Sequence, residues 1–129
     1  MKDQLKQVLQ TPNDEKIRII QEIVPGNQIS LLHLIAGPDE DLYRKLGLDP
    51  RLDYGKSAIG IVSVTPAEVA IIAGDIASKA SNVELGFIDR FSGTLIITGR
   101  ISEVEEAFRE IVEYTRDTLG FSICPITRT

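Results

Sequence analysis

"AIGIVSVTPAEVAIIAGDIASKA", residues 58–80, changes its hydrophobic period once, and that change decides the fold. Residues 58–64 form an apolar, β-branched run, the composition of a buried strand. From Val69 onward Val69, Ile72, Ala73, Ile76, Ala77 and Ala80 recur at helical spacing, which predicts one buried helix face. Between them, Thr65-Pro66-Ala67-Glu68 reads as a capping box, with Thr65 as N-cap and Pro66 in the first helical position. Asn82 marks the predicted end of the helix.

Downstream, "VELGFID" (83–89) and "TLIITG" (94–99) read as two strands joined by the tight connection Arg90-Phe91-Ser92-Gly93. Ser102-Glu103-Val104-Glu105 is a second capping box. It opens a longer helix with Val104, Ala107, Phe108, Ile111, Val112, Thr115 and Leu119 on its core face and Gly120 as its left-handed stop. "FSICPI" (121–126) closes as a strand, which Pro125 places at an edge. The order β-α-β-β-α-β is the ferredoxin-like arrangement. It predicts an α+β fold with two helices on one face of an antiparallel sheet.

Upstream, "NQISLLHLIAG" (27–37) reads as a further strand, followed by a short helix from Asp39 to Leu46 stopped by Gly47. The glycine- and proline-bearing "GLDPRLDYGK" (47–56) links it to the main unit. Before it stands "KIRIIQEIVPG" (16–26), a strand-like run with no hairpin partner. Its residues Ile17, Ile19, Gln21 and Ile23 alternate with Ile20, Glu22 and Val24. A lone apolar strand invites aggregation unless its edges are covered. An edge position in the monomer covers one edge, whereas a closed ring of such strands from several copies leaves none. Residues 1–16 form a polar tail in which Leu5, Val8 and Leu9 make at most a turn or two of amphipathic helix.

The 129 residues suffice for one domain. A net charge of −5 without any Lys/Arg cluster argues against nucleic acid or an anionic membrane as partner. The chain has one cysteine, Cys124, and one histidine, His33, so neither an internal disulfide nor a Cys/His zinc site is expected. The start, "MKDQLKQVLQTPNDEK", has no apolar h-region, and no run reaches the length of a membrane span. A cytoplasmic setting is expected.

Asp89-Arg90 is the most unusual polar pair, but neighbours on a strand point to opposite faces and do not converge on one substrate. The sequence carries no P-loop, GxGxxG, GxSxG, CxxC or HExxH. A solvated charge pair at a hairpin tip would be the plain reading, and Phe91 argues against it, because an apolar ring at a turn tip calls for a partner. His33 reads as a strand residue with a satisfied ring and Cys124 as a small packed thiol with no base to activate it. No catalytic residue, cofactor or metal is expected.

"IIQEIVPGNQISLLHLIAGP", the run "AIGIVSVTPAEVAIIAGDIASKASNVELGFIDRFSGTLIITG" and the terminal "ITRT" together resemble the circularly permuted bacterial microcompartment shell proteins of propanediol, ethanolamine and choline utilisation, from about Ile17 to Thr129. The likeness implies a polar tail 1–16, a barrel strand 17–26 and a permuted shell domain 27–129, in which the front strand and short helix are those that end an ordinary shell subunit. It implies hexamers around a central pore, with Asp89, Arg90, Phe91, Ser92 and Gly93 as the pore loop. Ile17, Ile19, Ile20, Gln21, Glu22, Ile23 and Val24 would then join five copies in a six-stranded parallel barrel over the pore.

In such a ring six Asp89 carboxylates would offset six Arg90 charges, Ser92 and Gly93 would let backbones approach the axis, and Phe91 would meet neighbours. Lys79 matches the lysine that family members use at the hexamer edge, while Gly37 stands where they carry an arginine. The implied partners are further copies of the chain, other shell proteins and encapsulated enzymes, within a microcompartment shell in the cytoplasm. The alternative is a small-molecule-sensing module of the ACT or PII type. An enzyme built on Asp89, Arg90 and His33 ranks third, with no spacing argument behind it.

Overall fold

The computed structural model describes residues 26–48 and 57–129. The tail 1–16, the expected barrel strand 17–26 apart from Gly26, and most of the 47–56 connection therefore lie outside the described residues. The elements in chain order are β1 (Gln28–Ile35), α1 (Glu40–Lys45), β2 (Ala58–Thr65), α2 (Val69–Ala80), β3 (Glu84–Asp89), β4 (Thr94–Gly99), α3 (Ile101–Asp117) and β5 (Ile126–Arg128).

The strands form one sheet in the order β3-β4-β2-β1-β5. All neighbours are antiparallel except β1 and β5, which run parallel with Leu32 opposite Ile126, so the sheet is mixed where an antiparallel one was expected. The front strand β1 pairs along the length of β2, from Gln28 opposite Thr65 to Ile35 opposite Ile59. It takes the place beside β2 that the plain ferredoxin-like reading gave to the last strand. That last strand begins only after Pro125, is three residues long and sits outside β1. Residues 121–125 contribute a single bridge, Ser122 to Gln28.

Helices α2 and α3 cover one face. Between them and the sheet lie Leu32, Val62, Leu95, Ile97, Val104, Phe108 and Ile111, all essentially without solvent contact. Gly60 makes that packing possible. A Cβ there would stand 2.7 Å from Val104 Cγ1 and 2.9 Å from Phe108, inside the distance that packed carbons tolerate. The other face carries α1, whose Tyr43 packs with Leu48, Ile59 and Ile96 and donates its hydroxyl to the Ser57 carbonyl at 2.6 Å. The helix has the bounds the sequence implies, with Asp39 accepting the Asp41 amide as N-cap and Gly47 in the left-handed region after it.

Both predicted capping boxes are corrected. Thr65 is held in the sheet opposite Gln28, and residues 66–68 close a turn through bonds such as Val69 N–H to Pro66 C=O. Helix α2 therefore starts at Val69, with no side-chain cap. Helix α3 starts at Ile101, ahead of Ser102, and Glu103 reaches back to accept the Arg100 amide at 3.0 Å. The buried face of α2 is Val69, Ala70, Ala73, Gly74 and Ala77, while Ile72 is exposed. The face is turned because the sheet approaches the helix at its small residues: Ile88 reaches under Gly74, where a Cβ would stand 3.0 Å away. The core face of α3 is as predicted at Val104, Ala107, Phe108, Ile111 and Thr115, with Gly120 left-handed beyond its end.

Candidate functional site

The β3–β4 connection is built by one carboxylate. Asp89, the last residue of β3, accepts the Phe91 amide at 2.8 Å through one oxygen and the Ser92 hydroxyl at 2.8 Å through the other. The Ser92 hydroxyl also lies 3.1 Å from that of Thr94. These donors favour the charged form, first the Phe91 amide and then the Ser92 hydroxyl, and hold the Asp89 carboxyl below its ordinary range.

Gly93 completes the turn and ties it to the sheet. Its amide donates to the Asp89 carbonyl and its carbonyl accepts the Val64 amide, each at 2.9 Å. Its φ is +81°, and a Cβ would lie 2.2 Å from the Val64 carbonyl oxygen. The glycine thus has a requirement within the single chain, before any approach to a neighbour.

With Asp89 committed to its own loop, Arg90 and Phe91 are what the turn presents outward. The guanidinium sits 5.0 Å from the centroid of the Phe91 ring, within cation–π range. Phe91 is 81% exposed, the most exposed large apolar residue described. The Asp89 carboxylate is bound to amide and hydroxyl donors of its own loop, which keep it ionised one residue from Arg90. An aspartate followed two residues on by a free amide is an Asx-turn signal that could have shown this.

The loop shares one end of the sheet with the start of the described chain. Gly93 is bonded to Val64, and Thr65, the next residue, pairs with Gln28, two residues after Gly26. The edge beside the loop is apolar as well. Among the described residues, strand β3 has only β4 as a neighbour, and its Leu85, Phe87 and Ile88 are exposed, a surface the sequence reading did not single out.

The remaining candidates are dispersed. His33 lies on β1, with Nδ1 2.6 Å from the Thr127 hydroxyl and Nε2 3.0 Å from that of Thr129, so its ring is satisfied. Cys124 is a partly buried thiol whose pKa is pushed up by desolvation. Lys79, in the last turn of α2, pairs with Asp75 at 2.9 Å on the surface. Gly37 has open space around it. Among the described residues no three His, Cys, Asp or Glu side chains group as metal ligands. No described helix is long and apolar enough to cross a membrane.

The model of the BMC domain matches residues 58–127. The chain belongs to the BMC domain family. The bacterial microcompartment shell protein PduU of Salmonella typhimurium is 49% identical over 112 residues, covering 87% of this chain and 93% of that protein. The shell protein EutS of Escherichia coli is 49% identical over 115 residues, covering 89% and 99%. The flat hexamer of CutR matches with a TM-score of 0.74 at 47% identity, over 82% of this chain and 94% of that one. A screw form of CutR with a 41.9 Å pitch matches equally well, over 81% and 100%. This BMC-domain chain is thus similar to microcompartment shell proteins along most of its length, and the ACT or PII sensor alternative finds no support.

Proposed function

We propose that this chain is a non-catalytic structural subunit of a bacterial microcompartment shell that assembles as a ring of six around a central pore. The observation that carries this reading is the 90–93 loop. It projects Phe91 into water from a turn fixed by Asp89 and Gly93, an arrangement that is costly for a monomer and satisfied when copies meet. The match to a hexamer of the related CutR supports the same stoichiometry.

In the ring, Arg90 and Phe91 form the rim and Asp89, Ser92 and Gly93 hold the shape of the loop. Six Asp89 carboxylates, kept ionised by their loop donors, stand one residue from six guanidiniums, and the balance of these two rings sets the bias of the rim toward charged solutes. The domain is circularly permuted: β1 and α1 stand first in the chain, yet β1 lies in the sheet beside β2. Residues 17–24 then form a six-stranded barrel over the pore. Its support is that Gly26 emerges at the sheet end that bears the loop. Lys79 lies at the ring edge, where other shell proteins adjoin.

Light scattering on the full chain tests the reading. A discrete mass of six times the 14.2 kDa subunit supports the ring. A monomer, dimer or trimer under gentle conditions overturns it. If a form lacking residues 1–25 stays hexameric, the front strand is a cap over the pore and not the glue of the ring.

A further inference from the structure

We propose that residues 1–10 of this chain dock in the groove between α2 and α3 of the same subunit, with Leu5, Val8 and Leu9 on its floor and Lys2 and Lys6 at its rim. The inference does not depend on the ring itself, but Lys79, assigned to the ring edge, lines this groove, so docking competes with contacts between rings there.

The groove has a volume of about 430 Å³. Ile76, Ala80 and Tyr114 supply apolar surface, Glu110, Glu113 and Asp117 supply negative charge, Lys79 is the one cation among the described lining residues, and Thr118 lies toward the end of α3. The other charges nearby are satisfied locally. Lys79 is engaged by Asp75, Arg109 by Glu106, and Arg116 donates twice to Asp117. Glu110 and Glu113 make no ion pair with any described residue. The groove therefore offers a floor that gains from covering and two carboxylates on the same helix that no described salt bridge holds, Glu113 acting on Arg116 only as a nearby charge.

"MKDQLKQVLQ" is complementary to that surface. As a helix about 15 Å long, it would place Leu5, Val8 and Leu9 in one stripe, at spacings of three and four. Lys2 and Lys6, four apart, fall together on one border of the stripe, as Glu110 and Glu113 both come from one wall of the groove. The tether also fits. The Asn27 carbonyl accepts the Ser122 amide at 3.1 Å, and Ser122 follows Thr118 by only four residues. Residues 11–25 can extend to about 50 Å, more than the return path needs. Because the segment is attached, even weak intrinsic binding is populated through its high effective concentration.

The test uses the full chain. Hydrogen exchange read by mass spectrometry should show the amides of residues 3–10 slowed at least about tenfold against the same peptide free in solution. Glu110→Lys with Glu113→Lys should abolish that protection, and adding Lys2→Glu with Lys6→Glu should restore it. Both groove substitutions are at surface positions of α3, and unchanged exchange in β2 and β4 would establish that the variant remains folded. Zero-length carbodiimide coupling should join Lys2 or Lys6 to Glu110 or Glu113 within one chain, in a mixture of isotopically light and heavy protein. Free-chain exchange in residues 3–10, or protection indifferent to the charge reversal, would overturn the proposal. Crosslinks joining light to heavy chains would overturn it too, by assigning the groove to a second copy.

Discussion

Asp89 binds the amide of Phe91 two residues ahead of it, at 2.8 Å, and so the residue that shapes the turn is distinct from the residue the turn displays. The carboxylate is spent on geometry. What is left for contact is a guanidinium over an aromatic ring at 5.0 Å.

That division sets a pH dependence. The Asp89 carboxyl is lowered in the folded chain, so its contribution is complete above its ordinary value of 3.8 and is lost as pH falls through the lowered value. The protection of the Phe91 amide, its exchange rate relative to the intrinsic rate at the same pH, should therefore be greater at neutral pH than well below 3.8, with Asp89→Ala lacking that protection throughout. Amide exchange followed by NMR or mass spectrometry reads this directly. Identical exchange in the wild type and Asp89→Ala would contradict it.

Phe91→Ser should separate folding from assembly. The ring is exposed in the single chain, so urea unfolding of the subunit should change by no more than about 0.5 kcal/mol. Association should weaken, seen as a shift to lower mass in dilution series by sedimentation or light scattering. A clear loss of subunit stability with intact association would reverse the roles assigned here.

Gly93→Ala should behave in the opposite way. A side chain at φ +81° costs about 1–2 kcal/mol before any contact is counted, and the approach to the Val64 carbonyl adds to it. The urea midpoint should fall, and the loop should lose its bond to β2. An unchanged midpoint would mean that the turn can be rebuilt without cost.

Gly60→Ala tests the helix layer. The new methyl would press on Val104 and Phe108 at 2.7 and 2.9 Å, an overpacking that costs about 1–3 kcal/mol in a close-packed core. Thermal unfolding should show a clear drop in midpoint.

Gly37→Arg addresses contacts between rings. Position 37 has open space and an ordinary backbone, so the arginine that the sequence resemblance implies for that position can be introduced without steric cost. Electron microscopy should then show more extended sheets than the wild type forms. Equal sheet formation would show that tiling here does not use that position.

Local signals gave most of the elements and few of their partners. The hairpin 83–99, the core face of α3 and the caps of α1 depend on residues within a turn or two of one another, and they were legible. The start of α2 was not, because Thr65 can cap a helix or extend a strand, and its pairing with Gln28 decides in favour of the strand. Ile72 looked buried by period, yet small residues face the sheet because Ile88 comes in beneath Gly74. The seat of the last strand depends on Leu32 meeting Ile126, a pairing that no local periodicity encodes. At the candidate site the hairpin connection 90–93 was legible, but the hydrogen bonds that Asp89 makes across it were not.

The same pairing has a consequence for how the chain is made. Strand β1 is among the first parts of the domain to leave the ribosome, and one of its flanks stays open until residues 126–128 follow. Thr129 then bonds to both Leu34 and Ala36 across that flank. Until residues 126–129 have emerged, nascent chains must hold this edge unpaired, at the stage when strand edges most readily recruit one another. Neighbouring ribosomes on one message would bring such edges together, and a chain withdraws its own only once residues 126–129 have been made.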